Sequence, residues 1–341
     1  MNAERNQSIN LTLAGDVMLG RWVNEFIRAY GPAYPWGNML PFLQHADLSL
    51  INLECVIARD GHPWTRTPKV FHFRADPSAI EVLRLAGIDC VSLANNHTLD
   101  FEEPALLETL ELLEANGIAY AGAGRNSAEA QRPAFLQASG IKVAVVAFTD
   151  NEPAWAATAT TPGVNYLYVS TRGPYIDQLA KAIESARLGG ADLVVVSAHW
   201  GPNMRERPTK RFCHFAHAVI DAGADIFQGH SAHIFQGIEI YRGKPIFYDT
   251  GDFVDDYAVD EVLRNDQALL FNLSVSKAGT EGIDLIPALI SDCQVNRAVG
   301  NDFDQIARRI KMLSQEMGTE IERVGDHLEV SLHRRRQALS A

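Results

Sequence analysis

Positive charge is in short supply: 30 lysines and arginines stand against 42 aspartates and glutamates, a net charge of −12. A nucleic-acid-binding surface would need a basic footprint. The one basic cluster, Arg334-Arg335-Arg336, falls in the C-terminal tail beside His333 and reads as solvated. No nucleic-acid partner is expected. Cysteine is scarce as well. Cys55, Cys90, Cys213 and Cys293 are scattered with no CxxC pair, the usage of reduced thiols in a reducing compartment. No window holds 18 apolar residues, so no membrane span is expected. Met1 to Ser8 is polar, without the apolar stretch of a signal segment. The chain reads as cytoplasmic, and its oligomeric state is not legible.

What is present is core material: 341 residues, 47% of them hydrophobic, enough for one large α/β domain. Apolar runs alternate early with helical patterns. Ile9 to Ala14 reads as a strand closed by Gly15-Asp16, and Arg21 to Tyr30 as a helix. Gly31 to Gly37 and Arg59 to Lys69 read as loops around the strand Asp47 to Leu53. Asp76-Pro77 starts a helix that ends at Gly87. Leucines at 106, 107, 110 and 113 carry a helical period over Glu102 to Asn116, with Gly117 as its cap. Tyr175 to Leu188, Thr209 to Ala222 and Phe303 to Met317 are also helical in pattern. Later strands pair by hairpins: Ala134 to Ala138 with Lys142 to Phe148, and Ile234 to Tyr241 with Pro245 to Asp249. Ala268 to Ser276 and Ile283 to Ile290 add two more. This order predicts two stacked sheets with helices outside, in one domain over 1–341, with its core at about 9–256 and an addition at about 266–318.

Four of the apolar runs end in polar side chains. Ile9 to Ala14 meets Asp16, Cys90 to Ala94 meets Asn95-Asn96-His97, Leu193 to Ala198 meets His199, and Ile226-Phe227 leads to His230 and His233. In open α/β sheets, ligands and metals bind beyond the carboxyl ends of strands. Neutral imidazole is a common metal ligand, and an amide oxygen is a hard one that suits a divalent cation. Glu54, at the tip of Asp47 to Leu53, reads as a carboxylate between two cations. Asp16 taken alone reads equally as the cap of the following helix, and Asn96 as a turn cap. His97, next to Asn96, then reads as an acid or base at the rim. His62 and His72 lie in or beside the loop after Glu54, where a substrate contact is possible. Arg21 and Arg205 are candidate carboxylate clamps, because guanidinium matches carboxylate geometry; either also reads as a surface arginine. His214 and His217 read as packing or solvated, and His45, His327 and His333 as unpartnered.

The segments Gly15-Asp16-Val-Met-Leu-Gly-Arg21, Asn52-Leu53-Glu54, Asn95-Asn96-His97-Thr-Leu-Asp100, Gly122-Ala-Gly124, His199-Trp200-Gly201, Gly223-Ala-Asp225, Gly229-His230-Ser-Ala-His233 and Gly251-Asp252-Phe253 resemble the CapA family, named for poly-γ-glutamate capsule synthesis and placed in the calcineurin-like metallophosphoesterase superfamily. The resemblance spans about residues 9–256. It implies a four-layer αββα sandwich and one or two divalent metal ions (Mn2+, Zn2+, Fe2+ or Ca2+) at the strand ends. It implies that Asp16 binds one metal, Glu54 bridges two, Asn96, His199 and His230 bind the second, and His233 returns to the first. His97 would be the proton donor, with Asp100 and Asp252 as further catalytic residues, and Arg21, Arg205, Trp200 and His72 as substrate contacts. Met18 stands where the phosphoesterases place a histidine ligand, so the Asn96, His199, His230 site is expected to fill first. The function implied is metal-assisted acid/base chemistry on a peptide or γ-glutamyl substrate, either hydrolysis or transfer, or α-carbon epimerisation as described for lasso-peptide epimerases. The alternatives are phosphate-ester hydrolysis and a non-catalytic part in poly-γ-glutamate synthesis or export.

Overall fold

A computed structural model describes residues 7–332. The N-terminal residues 1–6, His333 and the basic cluster at 334–336 lie outside the described residues. The first sheet begins with β1 (Ile9–Val17), followed by helix α1 (Arg21–Tyr30), β2 (Leu48–Leu53), α2 (Ile80–Ala86), β3 (Cys90–Ser92), α3 (Glu102–Ala115) and β4 (Ala119–Ala121). The chain then builds the second sheet: β5 (Ala134–Ala138), β6 (Ile141–Thr149), α4 (Pro174–Leu188), β7 (Leu193–His199), α5 (Lys210–Asp221), β8 (Ile226–His230), β9 (Ile238–Tyr241) and β10 (Lys244–Phe247). It returns to the first sheet through β11 (Asp252–Val254), β12 (Gln267–Ser276), β13 (Gly279–Ser291), α6 (Gly300–Glu316), β14 (Ile321–Val324) and β15 (His327–Val330).

The first sheet runs β14-β15-β13-β12-β1-β2-β3-β4, with β11 also on β1; the second runs β9-β10-β8-β7-β6-β5. β1 to β4 are parallel neighbours, as are β6, β7, β8 and β10, and the hairpins are antiparallel. Alternate side chains of a strand face opposite ways, and the hydrophobic clusters follow that rule. Leu11, Leu13, Val143, Val145, Val195 and Ile226 pack between the sheets. Ala14, Ile51 and Val91 face α1, α2 and α3 outside the first sheet, and Val146, Val194 and Phe227 face α4 and α5 outside the second. The architecture is the expected αββα sandwich. Helix α6 places Phe303, Ile306 and Ile310 in the inter-sheet cluster and so plugs one side of it.

Several boundaries differ from the sequence reading. β1 is not closed by Gly15-Asp16 but continues to Val17, because Asp16 N donates to Gly251 O at 2.9 Å while pairing goes on with β2. Asp76 does not cap its helix: its carboxylate accepts from Asn24 at 3.2 Å and Arg28 at 2.5 Å, and a 3-10 turn, Pro77–Ala79, precedes α2. The loop at Gly31 to Gly37 runs into a 3-10 helix, Tyr34–Met39. The chain does not end its order at α6, since β14 and β15 extend the first sheet. His327 is not unpartnered; its Nε2 lies 3.5 Å from Glu329. No helix among the described residues is long and apolar enough to cross a membrane.

Candidate metal centre

Register brings the polar strand ends side by side. Asp16 pairs with Asn52 on one flank and Asp252 on the other. His199 and His230 are register partners at the ends of β7 and β8. The approach is close: a Cβ on Gly15 would lie 1.8 Å from Gly251 O, and one on Gly229 would lie 2.1 Å from Tyr248 O. Only glycine permits either backbone contact. Beyond β8, Ser231 (φ 111°) and His233 (φ 60°) take left-handed backbone to turn His233 back over the strand ends. Asp249 holds that turn, its carboxylate accepting from Ala232 N and Gly251 N, both at 2.8 Å.

Two sets of candidate ligand atoms result. Asp16, His199 and His230 form one, Asp16, Glu54, His233 and Asp252 the other, and within each set the atoms lie within 4.8 Å of one another. Asp16 is therefore the carboxylate common to both. Glu54, expected to bridge, groups with His233 and Asp252, although its Oε1 is also 3.8 Å from His199 Nε2. Asp252, expected as a catalytic residue, lies among the ligand atoms, its Oδ1 2.8 Å from His233 Nδ1. Met18 is buried and its sulfur accepts from Gly20 N at 3.0 Å, so it faces its own turn.

The surrounding groups orient the set. Asn52 donates to Asp16 Oδ1 at 2.7 Å, and Asn95 donates to Asn52 and to Leu53 O. Ser197 Oγ lies 2.9 Å from His230 Nε2, which leaves Nδ1 to face His199 Nδ1 at 2.9 Å. Such outer partners set the tautomer and aim of a ligating imidazole. Glu54 Oε1, Asn96 Oδ1 and His199 Nε2 are buried and have no hydrogen-bond partner among the described residues. Orphaned buried polar atoms are costly unless something pairs with them, and the donor set of imidazole, carboxylate and amide oxygen suits a divalent cation. The residues fit a metal.

Burial shapes the protonation states. It lowers His199 well below the ordinary histidine value, with His230 adding to the effect, and it takes His230 down to about 3. Both are neutral near pH 7, the form that ligates. Burial raises Asp16 to about 6 and Glu54 well above the usual range, with Asp16 repelling Glu54 further. His233 moves the other way: burial lowers it, but Glu54 and Asp16 together outweigh that and raise it.

His97 stands beside this centre. Its Nδ1 is 2.5 Å from Asp100 Oδ2 and its Nε2 is 3.9 Å from Glu54 Oε1. Phe73 stacks on its ring at 3.9 Å and donates its N–H to Asp100 at 2.6 Å. Lys69 Nζ donates to Asn96 O at 2.6 Å and lies 3.3 Å from Asp100 Oδ1. Burial first, and Lys69 next, push His97 well below its ordinary value, while burial raises Asp100 to about 7.

A cavity of about 540 Å³ opens over His97, His233 and Asn96, walled by Arg21, Lys69, Val70, Phe71, Phe73, Glu152, Met204 and Tyr257. Arg21 thus reaches it. Arg205 and Trp200 do not: they line a separate cavity of about 350 Å³, where Trp200 packs on Phe212 and Phe227 and donates to Tyr248 O. His72 also stays away, its Nε2 3.0 Å from Trp64 O. Sequence reasoning missed Asp249, Asp255 and Tyr257. Tyr257 donates to Glu54 Oε2 at 3.2 Å, and the run Asp252-Phe-Val-Asp255-Asp256-Tyr257 just after Gly251 was the available signal.

Comparison with known proteins places this arrangement. A family model described as bacterial capsule synthesis protein PGA_cap matches residues 10–257. The capsule biosynthesis protein CapA of Bacillus anthracis is 31% identical over 289 residues, covering 84% of this chain and 69% of that protein. A "probable polyglutamine synthesis accessory protein" of Mycobacterium tuberculosis is 31% identical over 363 residues, covering 94% of this chain and 95% of that one. Among solved structures, the NAD nucleotidase of Haemophilus influenzae is similar at 12% identity and a TM-score of 0.46, covering 90% of this chain but only 56% of that protein. A likeness that distant says nothing of activity.

Proposed function

The chain belongs to the family of bacterial capsule synthesis proteins PGA_cap, and from that membership we propose that it is a metal-dependent enzyme acting on a peptide or γ-glutamyl substrate by acid/base chemistry. The observation that carries the reading is the convergence of two ligand sets on Asp16 with His97 beside them. Asp16, Glu54, Asn96, His199, His230, His233 and Asp252 would hold the metal. A bound divalent cation would supply Lewis acidity, polarising a carbonyl or carboxylate of the substrate. Arg21, Glu152 and Met204 in the cavity wall, and Ser231 and His233 in the turn, all have left-handed backbone. Each such residue costs about 1–3 kcal/mol and persists where the surroundings over-determine it, often at functional sites.

The proton chemistry falls to His97. With Nδ1–H donating to ionised Asp100, Nε2 carries a lone pair and takes a proton from the cavity side. With Asp100 protonated and donating, Nε2 carries the proton and gives it up. The two states differ by the one proton taken up or given back at Nε2, so the pair serves either direction, and hydrolysis, transfer and epimerisation all need such a group. A second reading, phosphate-ester hydrolysis, is favoured by Asp16 being common to both sets, since two cations sharing one ligand clamp a phosphoryl group.

The test is metal analysis of the purified protein, then assays with Mn2+ or Zn2+ restored on γ-glutamyl peptides, on peptides scored for D-residues, and on an aryl phosphate. Peptide turnover or racemisation supports the first reading, and aryl phosphate turnover alone supports the second. A protein that retains no metal after loading would lose both, and the accessory role named for the mycobacterial relative would then fit better.

A further inference from the structure

Among the described residues, the cavity wall has one cation with its hydrogen-bonding edge unspent. Lys69 is only 6% exposed and is committed to Asn96 O and Asp100. Arg21 differs. Its Nε lies 3.2 Å from Asp256 Oδ2, its side chain is 37% exposed, and its terminal nitrogens make no hydrogen bond among the described residues. Its guanidinium is 5.5 Å from the centre of the Phe73 ring and 6.0 Å from that of Phe71. Phe73 stacks on His97 with its own ring, so a single aromatic residue ties the guanidinium to the proton-transfer group. Arg21 also begins α1 with φ 52°, a left-handed backbone that holds the side chain in the cavity wall.

Two further facts limit what such an arginine can hold. Its Nε is taken by Asp256, whose side chain is 2% exposed, which leaves only the terminal nitrogens to a ligand. One remaining pair of guanidinium donors meets a single carboxylate, and no other lysine or arginine in the described cavity wall is open to a further anionic group. Next to Arg21 the wall is apolar: Phe71 is 58% exposed and Val70 83%, with Met204 and Tyr257 across the cavity. Large apolar side chains held open beside a charged anchor are what a ligand with an apolar group would cover.

We propose that Arg21, Phe71 and Phe73 form a subsite for a monoanionic carboxylate borne next to an apolar group, the chemistry of a peptide C-terminus that ends in an apolar residue. This rests on reading the cavity as a substrate site, and it narrows that reading away from a polyanionic polymer as the group bound here. Phe71 and Arg21 set specificity, and Phe73 is a positioning residue.

Calorimetric titration of the metal-loaded protein tests this, with metal content measured on the same samples so that loss of the metal centre is seen separately. The probes are N-acetyl-L-phenylalanine, its uncharged amide, N-acetylglycine and a poly-γ-glutamate oligomer. A charge-assisted bidentate contact predicts that the acid binds at least ~10-fold tighter than the amide. In Arg21→Gln that ratio should fall to about one. In Phe71→Ala, on an exposed position where folding is not at stake, the preference for the phenylalanine acid over N-acetylglycine should fall while the acid-to-amide ratio stays. The proposal is overturned if the acid does not bind, if the amide matches it, if the ratio survives in Arg21→Gln, or if the oligomer outcompetes the monoanion.

Discussion

At the scale of single residues, the division of labour between His97 and its neighbours is the sharpest claim. His97 faces Glu54 through Nε2 but is held by Asp100 and Phe73, whereas His230 meets Asp16 and His199. His97→Ala should therefore keep its metal and lose turnover by ~10²–10⁴-fold, the usual worth of a positioned acid or base. His230→Ala should lose metal and turnover together. Metal analysis and activity on the same preparations separate the two, and equal loss of metal in both variants would reassign His97 to the ligands. The partners of His97 follow from sequence only in part. Asp100 is three residues away, but Phe73 and Lys69 arrive from a loop whose path depends on the folded core.

At the scale of elements, the parallel pairing of β1 with β11 brings Asp16 and Asp252 together. Beside the Gly251 carbonyl, just before β11, there is no room for a side chain at position 15. Gly15→Ala should cost about 1–3 kcal/mol or more, as overpacking does, and should lower metal content, because β11 must shift before the new methyl fits. Thermal melts and metal analysis check it; a variant with wild-type melting and full metal would show that the strands have slack. The turn after β8 makes the same point through Asp249, whose two backbone contacts join the His233 turn to Gly251. Asp249→Asn leaves one acceptor where two are needed and should weaken metal retention more than it lowers the melting temperature. Equal effects on both would make Asp249 a fold residue only.

At the scale of the whole molecule, the buried acids and histidines make stability depend on pH and metal. Burial raises Asp100 from 3.8 to about 7 and, with Asp16 contributing, Asp249 from 3.8 to about 8. A group whose folded pKa is raised stabilises below its unfolded value, and that stability is lost as pH rises through the folded value. His230, lowered from 6.5 to about 3, contributes stability that is lost only as pH falls below 6.5, so above 6.5 it is constant. The metal-free protein should thus melt at falling temperature between about pH 6.5 and 8. Metal loading answers the negative charge, and the gap between loaded and chelated melts should widen over that window. Parallel curves would contradict the assignment. Much of this was legible in the chain itself. The apolar runs read as two stacked sheets with helices outside, and their polar tips pointed to Asp16, Glu54, Asn96, His199, His230 and His233 as candidates, because a strand's pattern and its end are local properties; the four-layer αββα order came from the family resemblance. Which carboxylate is common to both candidate sets, that Asp252 stands among the candidate ligand atoms, and that Arg21 reaches the cavity while Arg205 and Trp200 do not were decided by tertiary structure alone. Those outcomes turn on register between strands and on the path of loops, and each is set by packing between segments that are distant along the chain.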